Sequence, residues 1–297
     1  MSSKNKGIER RDFLKQVALG GLGTLLGNSF VRTSYAASRE RLTFLAAVGL
    51  DTLHPYAISA SPHYGIWQHI IEPLIEIDYG KKEYVGVLAE SWKFEGKKWT
   101  FKLRKNVRFH DGSPFTAKDV IHSINRIKND KQSLQAENFR DLTEMQAPDD
   151  YTVVFTTEVP NAVFLDRLYN RFMISKAAAD KLGDQVDQQP LGTGPYKYVS
   201  WQRGANLVLT RNDDYWAGKK DIKEIVIKTV KEDSGRVSGL LAGQGDLINN
   251  VPIEELSRFD KHAKVRAEKV EGLRMHFLAM NNTHKPFDNK WVRQAFN

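Results

Sequence analysis

The feature that most restricts the fold is a run of 22 residues, 98–119. Lys98 to Arg104 alternates strictly, with Trp99, Phe101 and Leu103 on one side and Thr100, Lys102 and Arg104 on the other. Period two is the mark of a strand with one face buried. Val107-Arg108-Phe109 then leads into His110-Asp111-Gly112-Ser113-Pro114, ordinary turn chemistry. Thr116, with Asp119 three residues on, opens an amphipathic run through Ile121, Ile124 and Ile127. That spacing is a capping box, so it predicts a helix start. A half-buried strand feeding a capped helix requires a mixed α/β or α+β architecture.

The rest of the chain continues the mixture. Arg41–Val48 reads as a buried strand, and Gly65–Ile77 as a helix broken near Pro73 and running into a strand. Tyr151–Thr157 is a further strand. Leu191-Gly192-Thr193-Gly194-Pro195 makes a rigid turn, and Tyr196–Trp201 and Asn206–Arg211 are strands joined around Arg203-Gly204. Ile222–Val230 alternates, Glu232–Ala242 suits a helix, Gly245–Ile248 is extended, and Asp288–Asn297 opens an amphipathic helix. At 297 residues, 41% hydrophobic and 27% charged, about two globular domains are expected.

The first 36 residues read as an address. A basic start is followed by Arg10-Arg11-Asp12-Phe13-Leu14-Lys15, a weakly apolar segment diluted by glycine, and small residues through Ala36 and Ala37. This is the layout of a cleaved export signal. Arg10, Arg11, Phe13 and Leu14 resemble the twin-arginine motif, which predicts passage through the twin-arginine translocase. The net charge is +8, and half of it falls in these 36 residues. The remainder, spread over both signs, is a solubilising surface and no footprint for nucleic acid.

Chemistry is excluded by what is missing. Without cysteine there are no disulfides, thiolate metal sites, cysteine nucleophile or cysteine-borne lipid anchor. No stretch reaches the ~18 apolar residues of a membrane span. His54, His63 and His69 lack the spacing that puts two imidazoles on one helical face. His110-Asp111 is adjacent on a tight turn and points apart, and no GxSxG nucleophile elbow occurs. The residues predict no enzyme, no metal and no cofactor, and they favour binding.

Leu88-Ala89-Glu90-Ser91-Trp92, the block from Trp99 to Lys105, and Phe109 to Val120 are similar, in order and spacing, to the signature of the family 5 extracellular solute-binding proteins. Pro190–Tyr198, Arg211–Trp216, Gly243–Leu247 and Lys285–Asn297 resemble that family's later landmarks. The resemblance implies a type II periplasmic binding protein-like fold, two lobes around a cleft, of which mainly the first lobe falls within this chain. It implies a signal at residues 1–36, a first lobe with an extra subdomain at 37–280, and the start of a second lobe at 281–297. It also implies a monomeric periplasmic receptor, free of a lipid anchor. Such a receptor captures a peptide or related small solute for ABC permease subunits of the inner membrane. A nonfunctional receptor fragment and an exported hydrolase are the alternatives. By the same resemblance, solute contacts fall on the loop after the first strand, at Ser59, Ala60 and Ser61. Small residues there let a ligand backbone approach closely. Phe139 is expected near an aromatic wall.

Overall fold

A computed structural model describes residues 40–58, 61–260, 262–268 and 278–296. Arg10, Arg11, Phe13, Leu14, Ser59 and Ala60 lie outside the described residues, as do the ends of the signal segment. The chain divides into two compact units, Met1–Pro252 and Ile253–Asn297.

Three sheets organise the first unit. In the largest, β1 (Arg41–Ala46) runs parallel to β10 (Glu224–Thr229) and to β11 (Leu247–Ile248). β10 pairs antiparallel with β9 (Asn206–Arg211), and β9 with β8 (Tyr196–Gln202), giving the order β11-β1-β10-β9-β8. β10 is flanked on both edges, and it buries Ile225, Val226 and Ile227 consecutively. The alternation of Ile222–Val230 therefore marks a strand but understates how deeply it sits.

The second sheet is antiparallel: β4 (Ala89–Glu95), β5 (Lys98–Leu103), β7 (Thr152–Thr157) and β6 (Leu142–Asp149). Trp99 and Phe101 stand opposite Phe155 and Val153 on one face, and all four are buried. Against β6 and β7 packs α2 (Ala117–Asn129), through Val120, Ile124 and Ile127. Its start follows the expected box: the Asp119 carboxylate accepts from the Thr116 amide at 2.8 Å and its hydroxyl at 3.0 Å. Asp119 also takes the Lys176 amide at 2.9 Å, which ties this start to that of α4 (Lys176–Leu182). β2 (Ile75–Asp78) and β3 (Glu83–Gly86) form a separate hairpin.

One predicted element changes shape. The helix α1 covers Ser61–Trp67 and stops well before Pro73. The reason is competition for carbonyls. Ile70 and His69 give their oxygens to the amides of Gly194 and Tyr196, each at 2.9 Å, so the helical ladder cannot continue through them.

In the second unit the described helices are α6 (Leu256–Asp260) and α7 (Lys290–Ala295). Asn289 caps α7, its side chain accepting from the Trp291 amide at 2.9 Å. Trp291 is 74% exposed.

Candidate functional site

Parallel strands present their carboxyl ends to one rim, where α/β sheets hold ligands. Here β1, β10 and β11 end together, and the rim is fixed by specific bonds. The Ala47 amide donates to the Asn249 side chain at 3.0 Å, and the Val230 amide to the Ala46 carbonyl at 2.9 Å. Arg236, on α5 (Asp233–Leu241), is 1% exposed. Its guanidinium donates to the carbonyls of Val230 and Lys231 at 2.9 and 2.7 Å, and of Asn249 and Asn250 at 3.3 and 3.2 Å. It also pairs with Asp233. One buried cation thus holds the exits of both neighbours of β1.

The chain leaving β1 is anchored, not a plain surface loop. Leu50, Leu53, His54, Tyr56 and Ile58 are buried. His54 Nδ1 accepts the amides of Tyr56 and Ala57 at 3.1 and 3.2 Å, which leaves the hydrogen on Nε2 to be donated to Asp130 at 2.9 Å. Arg126 closes this group by pairing with Asp130 and Asp187. The Tyr56 hydroxyl donates to the Phe172 carbonyl at 2.9 Å. The Ile58 carbonyl accepts from Gln135 Nε2 at 3.1 Å and from the Tyr64 hydroxyl at 3.3 Å. The backbone is therefore pinned immediately before residues 59 and 60. Ser61 opens α1.

Phe139, expected near an aromatic wall, sits among the aromatic rings of the core. It ends a short 3-10 helix, is 0% exposed, and meets the Phe164 ring edge-on at 6.2 Å. A ring so enclosed is part of the core and offers no face to a solute in this structure.

Sequence reasoning missed a buried carboxyl. Glu72 is 4% exposed. It accepts from the Thr193 hydroxyl at 2.8 Å, the Tyr215 hydroxyl at 2.6 Å and Trp216 Nε1 at 2.8 Å. Burial pushes its pKa up to about 7, against the pull of those three donors. Beside it, His110 donates from Nε2 to the Gly194 carbonyl at 3.0 Å, and burial pushes its pKa down to about 4. Asp111 faces away, its carboxylate accepting from Ser113. Adjacent residues 110 and 111 thus brace two turns and form no dyad. Among the described residues no group of His, Asp and Glu is arranged to hold a metal, and no helix is long and apolar enough to cross a membrane.

A mixed sheet whose parallel strands end at an anchored loop belongs to the type II periplasmic binding-protein class. The fold aligns with the dipeptide-binding protein of Pseudoalteromonas sp. SM9913 in complex with Met-Leu, TM-score 0.79 and 25% identity, over 86% of this chain and 56% of that one. It also aligns with the periplasmic binding protein DppA of Helicobacter pylori in complex with peptide STSA, TM-score 0.69 and 28% identity, over 75% of this chain and 49% of that one. The model for bacterial extracellular solute-binding proteins, family 5 (middle), matches residues 83–297. The chain belongs to that family. It is 31% identical to the probable D,D-dipeptide-binding periplasmic protein DdpA of Escherichia coli K12, over 92% of this chain and 55% of that protein. The glutathione-binding protein GsiB of Pectobacterium atrosepticum is also 31% identical, over 84% of this chain and 50% of that protein. The chain spans about half the length of the curated relatives it matches.

Proposed function

We propose that this chain is part of a periplasmic receptor that captures a peptide or a related small solute and delivers it to the permease of an ABC importer. The observation that carries the reading is the pinned loop that follows β1. Its backbone is fixed at Ile58 by two side chains and at His54 by two of its own amides, directly before the small residues Ser59, Ala60 and Ser61. A preorganised backbone beside small side chains suits the capture of another backbone, because little ordering remains to be done on binding. The names of the relatives support the solute class: a D,D-dipeptide, glutathione and Met-Leu.

The receptor acts as a monomer and is no enzyme. Residues 1–36 send it to the periplasm through the twin-arginine translocase. Isothermal titration with Met-Leu, glutathione and a D,D-dipeptide tests the reading. Saturable binding of at least one, with the peptide recovered intact, is the expected result. Silence with all three, or hydrolysis of the peptide, would remove it.

A further inference from the structure

Among the described arginines of the first unit that are not exposed, Arg171 is left without an acid. Its neighbours are held firmly. The Asn170 side chain accepts from Gln68 at 2.9 Å, and the Phe172 carbonyl takes the Tyr56 hydroxyl at 2.9 Å. The guanidinium is half-buried, and its Nε is sealed from solvent with no hydrogen-bond partner. The polar groups around it are the hydroxyls of Tyr64 and Tyr169, and no carboxylate among the described residues pairs with it. Tyr64 has committed its own hydrogen to the Ile58 carbonyl. It can only accept from the guanidinium, and it brings no negative charge. Burial accordingly pulls the Arg171 pKa below the usual guanidinium range.

Every other described arginine of this unit that is not exposed has such a partner. Arg104 has Glu90 and the Val87 carbonyl, Arg126 has Asp130 and Asp187, and Arg167 has Asp141. Arg211 has Asp213 and two carbonyls, and Arg236 has Asp233 and four. A desolvated, unpaired cation is destabilising, so its place in the fold calls for an anion supplied from elsewhere. Tyr64 sets where that anion would come from, because it bridges Arg171 to Ile58 at the start of the loop assigned above to the solute.

We propose that Arg171 is the group that fixes a carboxylate of the bound solute, so that the solute class is acidic: a peptide with a free carboxyl group or a comparable organic acid. The inference rests on the receptor reading. The planar fork of a guanidinium matches a carboxylate with two parallel bonds, which a lysine cannot reproduce.

Thermal melts of the wild type, R171M and R171K decide it. Each is measured in chloride, in acetate at matched ionic strength, with Met-Leu and with Met-Leu amide, and Met-Leu titrations give dissociation constants. Acetate and Met-Leu should raise the wild-type midpoint, and the amide should do so less. R171M should melt no lower than the wild type in chloride, should lose the acetate shift, and should bind Met-Leu roughly tenfold more weakly or worse, the scale of one charge-assisted hydrogen bond. R171K should fall between the two. An R171M that melts lower or fails to fold marks a structural guanidinium and overturns the inference, as does a wild type indifferent to acetate and to the free carboxyl. A wild type that binds Met-Leu and its amide equally, with R171M unchanged, keeps the receptor and removes Arg171. A wild type that answers acetate through Arg171 but binds no peptide keeps the anion site and counts against the peptide reading alone.

Discussion

His110 donates its Nε2 hydrogen to the carbonyl of Gly194 across 3.0 Å, joining two turns 84 residues apart. The bond is doubled by the backbone, since the His110 amide donates to the Gly192 carbonyl at 2.9 Å. The same glycine turn carries Thr193 to Glu72, so a neutral imidazole and a buried carboxyl lean on one short segment.

These two groups give opposite pH dependences. Glu72 rises from 4.5 to about 7 on folding, so the native state holds a proton the unfolded state has released. Its contribution is fully present below pH 4.5 and is lost as pH rises towards 7, by about 3 kcal/mol. His110 falls from 6.5 to about 4, so the unfolded state binds the proton first. Its contribution is present above pH 6.5 and is lost as pH falls towards 4, again by about 3 kcal/mol. Glu76 beside Glu72, and Lys197 and Asp111 beside His110, adjust both values. Urea denaturation of the wild type should therefore vary little between pH 4.5 and 6.5. E72Q, whose amide can accept from Trp216 and Thr193 while donating to Tyr215, should lose stability steeply on acidification. A flat profile for E72Q would contradict the assignment.

Gly192 and Gly194 are required by close approach. A Cβ on Gly192 would stand 2.1 Å from the Ile70 carbonyl oxygen, and one on Gly194 would stand 2.6 Å from the His69 oxygen. Both obstacles are backbone and cannot rotate away. G192A and G194A should each cost on the order of 3 kcal/mol or more, measured by chemical denaturation.

At the rim, Arg236 satisfies four carbonyls at once. Truncation to Met leaves them without their donor, and R236M should lose about 3–5 kcal/mol of stability. Hydrogen exchange should rise first in residues 247–252, where β11 keeps only a two-residue ladder with β1. Uniform exchange across the sheet would show that the arginine does not act on the rim in particular.

Export depends on the arginine pair. Replacing Arg10 and Arg11 by lysine keeps the charge but changes the donor geometry, so the protein should remain in the cytoplasmic fraction. Periplasmic recovery of the double variant would exclude the twin-arginine route.

Local pattern carried most of the strands and the start of α2 into view, because alternation and capping are written within a few residues: Trp99, Phe101 and Leu103, or Thr116 and Asp119. β6 escaped notice because its sequence, LTEMQAPD, is largely exposed and holds few apolar residues. The Glu72 group was illegible for another reason. Its donors Thr193, Tyr215 and Trp216 lie 121, 143 and 144 residues away, and no periodicity links them. His54 read as one more loop histidine until folding brought Asp130, 76 residues on, to its Nε2. For Phe139, an aromatic in a short 3-10 segment, the residues alone gave no sign of which way the ring faces. Arg171 gave none at all, since what distinguishes it is the lack of an acidic partner.

The pairing of Arg41 with Glu224 has a temporal side. β1 emerges early in synthesis, yet its neighbours β10 and β11 follow some 180 and 200 residues later. The antiparallel sheet of residues 89–157 closes over much shorter loops, and short loops close first. During translation the first strand must therefore wait, unpaired, while the second sheet folds ahead of it. A chain interrupted before Glu224 would hold a finished β4-β5-β7-β6 layer and no rim, which makes the carboxyl ends of β1, β10 and β11 the last part of this unit to be assembled.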